Sequence, residues 1–161
     1  MSFQGPAPDI TVIDSSPKSR LGTLYIDEDG NHYRYMQADG AVTAKNLYSY
    51  IATTWQIDAG IDLGVTPANT ESVPMCVWDQ SDTALADNEC AWVFVGPGYF
   101  TTTTAAAVAA DAICYGHATT GLIDDAATAC LLPGVAAVSA IASATTGTFF
   151  ACHGMYASDL P

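Results

Sequence analysis

Leu21-Gly22-Thr23-Leu24-Tyr25-Ile26, then Asp27-Glu28-Asp29-Gly30-Asn31, then His32-Tyr33-Arg34-Tyr35-Met36-Gln37-Ala38 is the stretch that decides the fold class. The first and last runs read as strands, and Asp-Gly between two β-rich runs is a strong hairpin signal. Side chains alternate along a strand, so Tyr33, Tyr35 and Gln37 face one way, and His32, Arg34, Met36 and Ala38 the other. Large apolar groups therefore leave both faces at Tyr35 and Met36. A strand of that kind is sandwiched between layers or lies at an interface. Asp39-Gly40 makes the next turn.

Working outward, Met75-Cys76-Val77-Trp78 and Ala91-Trp92-Val93-Phe94-Val95 are apolar on both faces, which predicts central buried strands. Gly96-Pro97-Gly98 closes the second run. Lys45 to Gln56 fits a short helix or an irregular strand, and residues 57–74 read as a long loop. From 101 to 113 the threonines and Val108 favour strand while the alanines favour helix. Strand and loop are preferred there, because Gly116 and Gly121 follow. Val135 to Ile141 is ambiguous for the same reason, and Thr148 to Cys152 reads as the last strand. The expectation is a mainly β protein: a compact sandwich or small barrel with an extended N-terminal arm. The arm spans residues 1–20 and a single β-rich domain spans 21–161. Pro6, Pro8 and Pro17 fix φ and remove backbone donors from the arm, and Lys18 and Arg20 stand where it enters the domain.

The charge distribution bounds function. The 161 residues carry a formal charge of -13, and all four cations, Lys18, Arg20, Arg34 and Lys45, lie in the first 45 positions. Eleven of the 17 acidic residues follow, from Asp58 to Asp159. Affinity for nucleic acid depends on cations that release counterions, so no nucleic-acid partner is expected. The five cysteines, Cys76, Cys90, Cys114, Cys130 and Cys152, are scattered and contain no CxxC pair. They suit neither a zinc site nor a disulfide framework, and are expected to be reduced and buried in a protein that folds in a reducing cytosol. Met1 to Pro8 has no basic region or apolar stretch of a secretion signal. Ala126 to Ser158 is uncharged but too weakly apolar to span a membrane.

No constellation points to catalysis. Asp27-Glu28-Asp29-Gly30-Asn31 could offer oxygens to calcium but lacks EF-hand spacing, and it reads as a solvated hairpin tip. Asp124-Asp125 reads the same way. Cys114 with His117, and Cys152 with His153, show no third group to orient a nucleophile. No phosphate-cradling glycine loop, HExxH pair or GxSxG elbow is present. Neither catalytic residues, metal ligands nor a cofactor are expected. The many aromatics divide between core, with Trp92 and Phe94, and contact surface.

Leu21-Gly22-Thr23-Leu24 with Gly30 to Ala38 resembles the opening of small head proteins of tailed bacteriophages, the capsid decoration or cement proteins. Ala91 to Val95 resembles their aromatic central strand, although Cys90-Ala91 and Phe94 stand where many members carry Gly or Gln. Ala105 to Tyr115, continuing through Ala118 to Asp125, resembles the following Ala-rich strand and turn, and Gly134-Val135-Ala136 the next glycine. The likeness covers residues 20 to 150 as a pattern of strands and turns. It implies a non-enzymatic virion protein on the outer surface of the capsid, bound to the major capsid protein lattice and forming a homo-oligomer, a trimer by preference. It brings no catalytic residue with it. Arm contacts are expected at Phe3, Ile10, Val12, Lys18 and Arg20. The competing expectation is a virion fibre or receptor-binding module that recognises a host glycan or protein.

Overall fold

The computed structural model describes residues 6–58, 73–116, 121–126 and 130–157. Among them the chain is all β, with no helix. The strands are β1 (Leu24–Ile26), β2 (His32–Asp39), β3 (Leu47–Ile51), β4 (Gln56–Asp58), β5 (Val73–Val77), β6 (Cys90–Phe94), β7 (Gly98–Thr103), β8 (Tyr115–Gly116), β9 (Ile123–Asp124), β10 (Val135–Ala137), β11 (Thr146–Ala151) and β12 (Tyr156–Ala157).

The expected hairpin forms, its first strand running from Leu24 to Ile26 and not from Leu21, with Ile26 opposite His32 and Leu24 opposite Arg34. Its tip is organised from within. Asp27 Oδ1 accepts the amides of Asp29 and Asn31 at 3.0 and 2.8 Å, and Oδ2 accepts from Asn31 Nδ2 at 2.8 Å. Short polar side chains favour such turns because they bond the backbone just beyond them. Gly30, at φ 83°, takes the left-handed position that other residues adopt at a cost. Asp27 is thus committed to closing its own turn.

Five strands close into a barrel in the order β2-β4-β3-β5-β6 and back to β2. The β2–β4 pair is parallel and every other pair is antiparallel. The alternation along β2 sorts its residues as expected. Met36 and Ala38 join Tyr48, Ile57, Cys76, Trp78, Ala91 and Val93 in one buried cluster. Tyr33 and Tyr35 join Leu47, Met75, Val77, Trp92 and Phe94 in another. That second cluster is roofed by a three-stranded antiparallel sheet, β10-β11-β7, through Phe100, Phe149, Val135 and Ala137. Phe94 stacks on Phe100 at 5.0 Å and Phe100 on Phe149 at 5.8 Å. β6 is consequently buried over its whole length, as its run of apolar residues predicts. Each large side chain so buried contributes about 1.5–3 kcal/mol.

Several ambiguities resolve towards strand. Leu47 to Ile51 is β3 and not helix, and 98–103 is β7 followed by irregular chain. The strand expected at Thr148 to Cys152 runs from Thr146 to Ala151, but it is not the last. β12 follows and pairs with β5 through Tyr156 opposite Pro74. Met155 joins the two layers, donating its amide to Val95 O and accepting from Met75 N, both at 2.9 Å.

The described part of the N-terminal segment lies along its own barrel. β5 meets β6 only at Val77 opposite Phe94. The opposite end of β6 is therefore open, and Asp14 pairs there with Cys90 through bonds of 2.9 and 2.8 Å. Ile10 and Ile13 pack against the two buried clusters. The Tyr35 hydroxyl fastens the segment further, donating to Asp14 Oδ2 at 2.6 Å and accepting the Lys18 amide at 3.0 Å. Burial, and then the bond to Asp14, push the phenol pKa well up, so this donor stays protonated.

Candidate functional site

The structure distributes the residues expected to make contacts. Phe3 lies outside the described residues. Ile10 is half-buried against the chain's own core, and Val12 is 43% exposed. Lys18 and Arg20 are exposed, and their backbone is fixed through Tyr35 and Thr23.

Just beyond them β1 and β4 meet along the same edge of β2. Gly22 donates to Tyr35 O at 2.7 Å, and Gln37 donates to Trp55 O at 3.1 Å. A Cβ on Gly22 would collide with the Trp55 indole, and φ of 81° also requires glycine there. Arg34 donates from Nη1 to Gly22 O at 2.7 Å and lies over the Trp55 ring at 4.5 Å. Tyr50 stacks with Trp55 at 6.0 Å. Arg34 is thereby held where Gly22, two positions beyond Arg20, joins the barrel, and Lys18, Arg20 and Arg34 are three of the four cations in the chain. The fourth, Lys45, pairs with Asp82 on a different part of the surface. Sequence patterning marks Arg34 only as a residue of β2. Its partnership with Trp55 depends on β4 lying parallel beside β2, which no local signal announces.

A second surface is defined by what it lacks. Residues 90–110 and 126–158 contain no Asp, Glu, Lys or Arg, and these two segments supply all of β7, β10 and β11. Their inward residues join the core. Their outward residues form cross-strand rows, with Tyr99 opposite Phe150 and Phe150 opposite Ala136, then Thr101 opposite Thr148, then Thr103 opposite Thr146. Tyr99 is 53% and Phe150 39% exposed, with ring centroids 5.0 Å apart. Val138 stands beside Thr148 and is also exposed.

The barrel closes the near edge of this sheet. The outward amides of β7 are all taken: Tyr99 donates to Asn31 Oδ1 at 2.7 Å, Thr101 to Asp79 Oδ2 at 3.0 Å and Thr103 to Lys45 O at 2.8 Å. Asp79 also accepts from Gln80 Nε2 at 2.6 Å. Desolvation by burial raises its pKa to about 6, against the lowering pull of these bonds and of Lys45.

The remaining candidates separate. Cys76, Cys90, Cys114 and Cys130 are buried as expected, but Cys152 is exposed. It continues the outward series of β11 past its last strand residue, where the core no longer covers it. Burial pushes the Cys76 and Cys90 thiols up and that of Cys114 up to about 12, which leaves them protonated and poorly nucleophilic. His117 lies outside the described residues. His153 places Nδ1 2.8 Å from Gly154 O and stacks on Tyr156 at 5.2 Å. Asp124 is no solvated tip. It is a buried residue of β9 whose Oδ1 accepts the Ala126 amide at 3.1 Å. The adjacent Asp125 is exposed and accepts the Ala109 amide at 3.0 Å. Among the described residues no three His, Cys, Asp or Glu side chains gather closely enough to hold a metal ion, and no helix is long and apolar enough to cross a membrane. No family model, curated protein or solved structure matches the chain.

Proposed function

We propose that this chain is a structural virion protein that decorates the head of a tailed phage and stabilises it by binding the lattice of the major capsid protein. One observation carries the proposal beyond the sequence resemblance. On a molecule of charge -13, exposed Val12, Lys18 and Arg20 all belong to one segment fastened to the barrel, and Arg34 lies over Trp55 where that segment runs on into β1. A contact surface of this kind is pre-ordered, so docking it loses little chain entropy. The acidic remainder keeps unbound copies soluble. The mechanism is linkage: a protein that binds the assembled shell and not its free subunits stabilises the shell by the free energy of binding.

The test is titration of the purified chain onto purified heads that lack it, alongside unassembled capsid subunits. Saturable binding to heads alone is expected, together with a higher melting temperature of the loaded shell. The double variant Lys18→Glu/Arg20→Glu weakens binding about 10-fold or more, because it reverses charges at the contact. Equal binding to free subunits, or no binding to heads, overturns the proposal.

A further inference from the structure

We propose that the outward face of the β10-β11-β7 sheet is where two copies of this chain meet. The proposal goes beyond docking to a shell and uses different residues from Val12, Lys18, Arg20 and Arg34.

The face is built for contact with something that carries no charge of its own. Tyr99, Thr101, Phe150, Thr148 and Val138 cover its centre, and the two segments that form the sheet contribute no charged residue. Among the described residues, the charges near it stand at its margins. Asp79 and Lys45 lie along the β7 edge, and Asp111 donates its amide to Ala137 O at 3.1 Å beside β10. A partner that pressed a charged side chain onto the centre would strip its water and offer no opposite charge in return. The bound surface must therefore itself be free of charge.

Every copy of the chain offers such a surface. Over most other orientations two copies oppose carboxylates with carboxylates, since each carries -13. Face-to-face pairing sets the acidic parts outward and avoids that cost. The same patch on both copies makes the contact self-complementary, so it closes about a two-fold axis. Edge-to-edge addition at β7 is not available as an alternative, because Asn31, Asp79 and Lys45 already occupy its amides.

Size sets the strength. Three strands about 4.8 Å apart, with about 3.4 Å per residue, present a face of roughly 300 Å². A stable interface needs about 800 Å² on each partner. The pairing is accordingly weak in free solution, with dissociation constants upward of about 100 μM. It strengthens where copies are held side by side on a common surface, because tethering raises their effective concentration. Added salt also strengthens it, since salt screens the repulsion between the acidic bodies and has no ion pair to weaken at the contact.

Sedimentation equilibrium of the full chain tests this, from about 10 μM to about 1 mM and at ionic strengths from about 0.05 to about 0.5 M. The expected result is a mass that rises from 16.8 kDa towards twice that value with concentration, with association at least severalfold tighter at the higher salt. Thr148→Glu puts a carboxylate of each copy at the centre of the contact and is expected to weaken association about 10-fold or more. Thr53→Glu, which adds the same charge on the distant β3–β4 turn, leaves it within about twofold. Cys152 supplies an independent reading. It is the one exposed thiol of the five, and its maleimide labelling slows as association proceeds. Three results would each overturn the proposal: a monomer at every concentration and salt, association that salt weakens, or a Thr148→Glu protein that associates like the parent. Circular dichroism confirms that both variants fold, which keeps a lost association interpretable. Failure of the chain to bind heads leaves this measurement untouched, so the two proposals fail separately.

Discussion

Replacing Asp79 with Asn isolates the cost of placing a carboxylate between the barrel and the sheet. The side chain accepts the Thr101 amide with Oδ2 and Gln80 Nε2 with Oδ1. Asn keeps an oxygen for Thr101, and the Gln80 amide can turn its own oxygen towards the new NH2 group, so Asn resembles the protonated acid. Burial raises the Asp79 pKa from 3.8 to about 6. A folded-state pKa above the unfolded one means that the folded protein binds the proton more tightly. Between pH 4 and 6 the unfolded chain has released a proton that the folded chain keeps, so stability falls as pH rises through this window. Below pH 4 both states are protonated and the penalty vanishes. Above pH 6 it is complete, at about 3 kcal/mol as an upper bound. Urea denaturation of parent and variant from pH 4 to 7.5 measures the difference, and the titrations of all other groups cancel in it. Asp79→Asn is expected to gain on the parent by about 1–3 kcal/mol across that range. A gap that stays constant with pH, or a parent that gains on the variant as pH rises, would refute the reasoning.

Other consequences follow from the same contacts. Tyr35→Phe removes the hydroxyl that holds Asp14 and Lys18. A loss of about 1–2 kcal/mol is expected, or a Tm lower by about 2–8 °C, with faster hydrogen exchange at the Asp14 and Cys90 amides; unchanged exchange there would contradict the fastening role. Gly22→Ala and Gly30→Ala form a pair, since both glycines have φ near 80° but only Gly22 abuts another side chain. Gly30→Ala costs about 1 kcal/mol, whereas Gly22→Ala costs about 1–3 kcal/mol more because it forces Trp55 out of place. Equal destabilisation in chemical denaturation would show that the indole yields freely. Maleimide treatment of the native protein labels Cys152 at once and the other four cysteines only on unfolding; rapid labelling of a second thiol, read by mass spectrometry, would contradict their burial.

Local chemistry made much of the fold legible. The Asp-Gly turn sets the β1–β2 hairpin, and Tyr35 beside Met36 announces a strand buried on both faces. The uninterrupted apolar run at Ala91 to Val95 places β6 at the centre, because only a strand enclosed by two layers can bury every side chain. Closure of the barrel was not legible. It depends on the parallel β2–β4 pair, which joins Gln37 to Gln56 across 19 positions of sequence with nothing local to specify it. The 101–113 and 135–141 regions stayed ambiguous because alanine and threonine pull opposite ways, and the choice falls to their cross-strand partners in β11, Thr146 to Thr148 for Thr101–Thr103 and Phe149 to Ala151 for Val135–Ala137. The outward face of the sheet was half-visible. Its lack of charge stands in the sequence, but its assembly from two distant segments is a property of the pairing. The Arg34–Trp55 contact required the position of β4, and Asp124 and Cys152 ran against expectation because burial at strand ends follows the covering layer and not residue type.

The central claim is that this chain works by clamping an assembled shell, and imaging the intact phage particle proposed to carry it tests that claim most directly. Density for the β barrel is expected at regular, stoichiometric positions over the outside of the head, with Lys18, Arg20 and Arg34 turned towards the shell. Particles whose heads are bare of it, or which carry a few copies at the tail alone, would contradict the account.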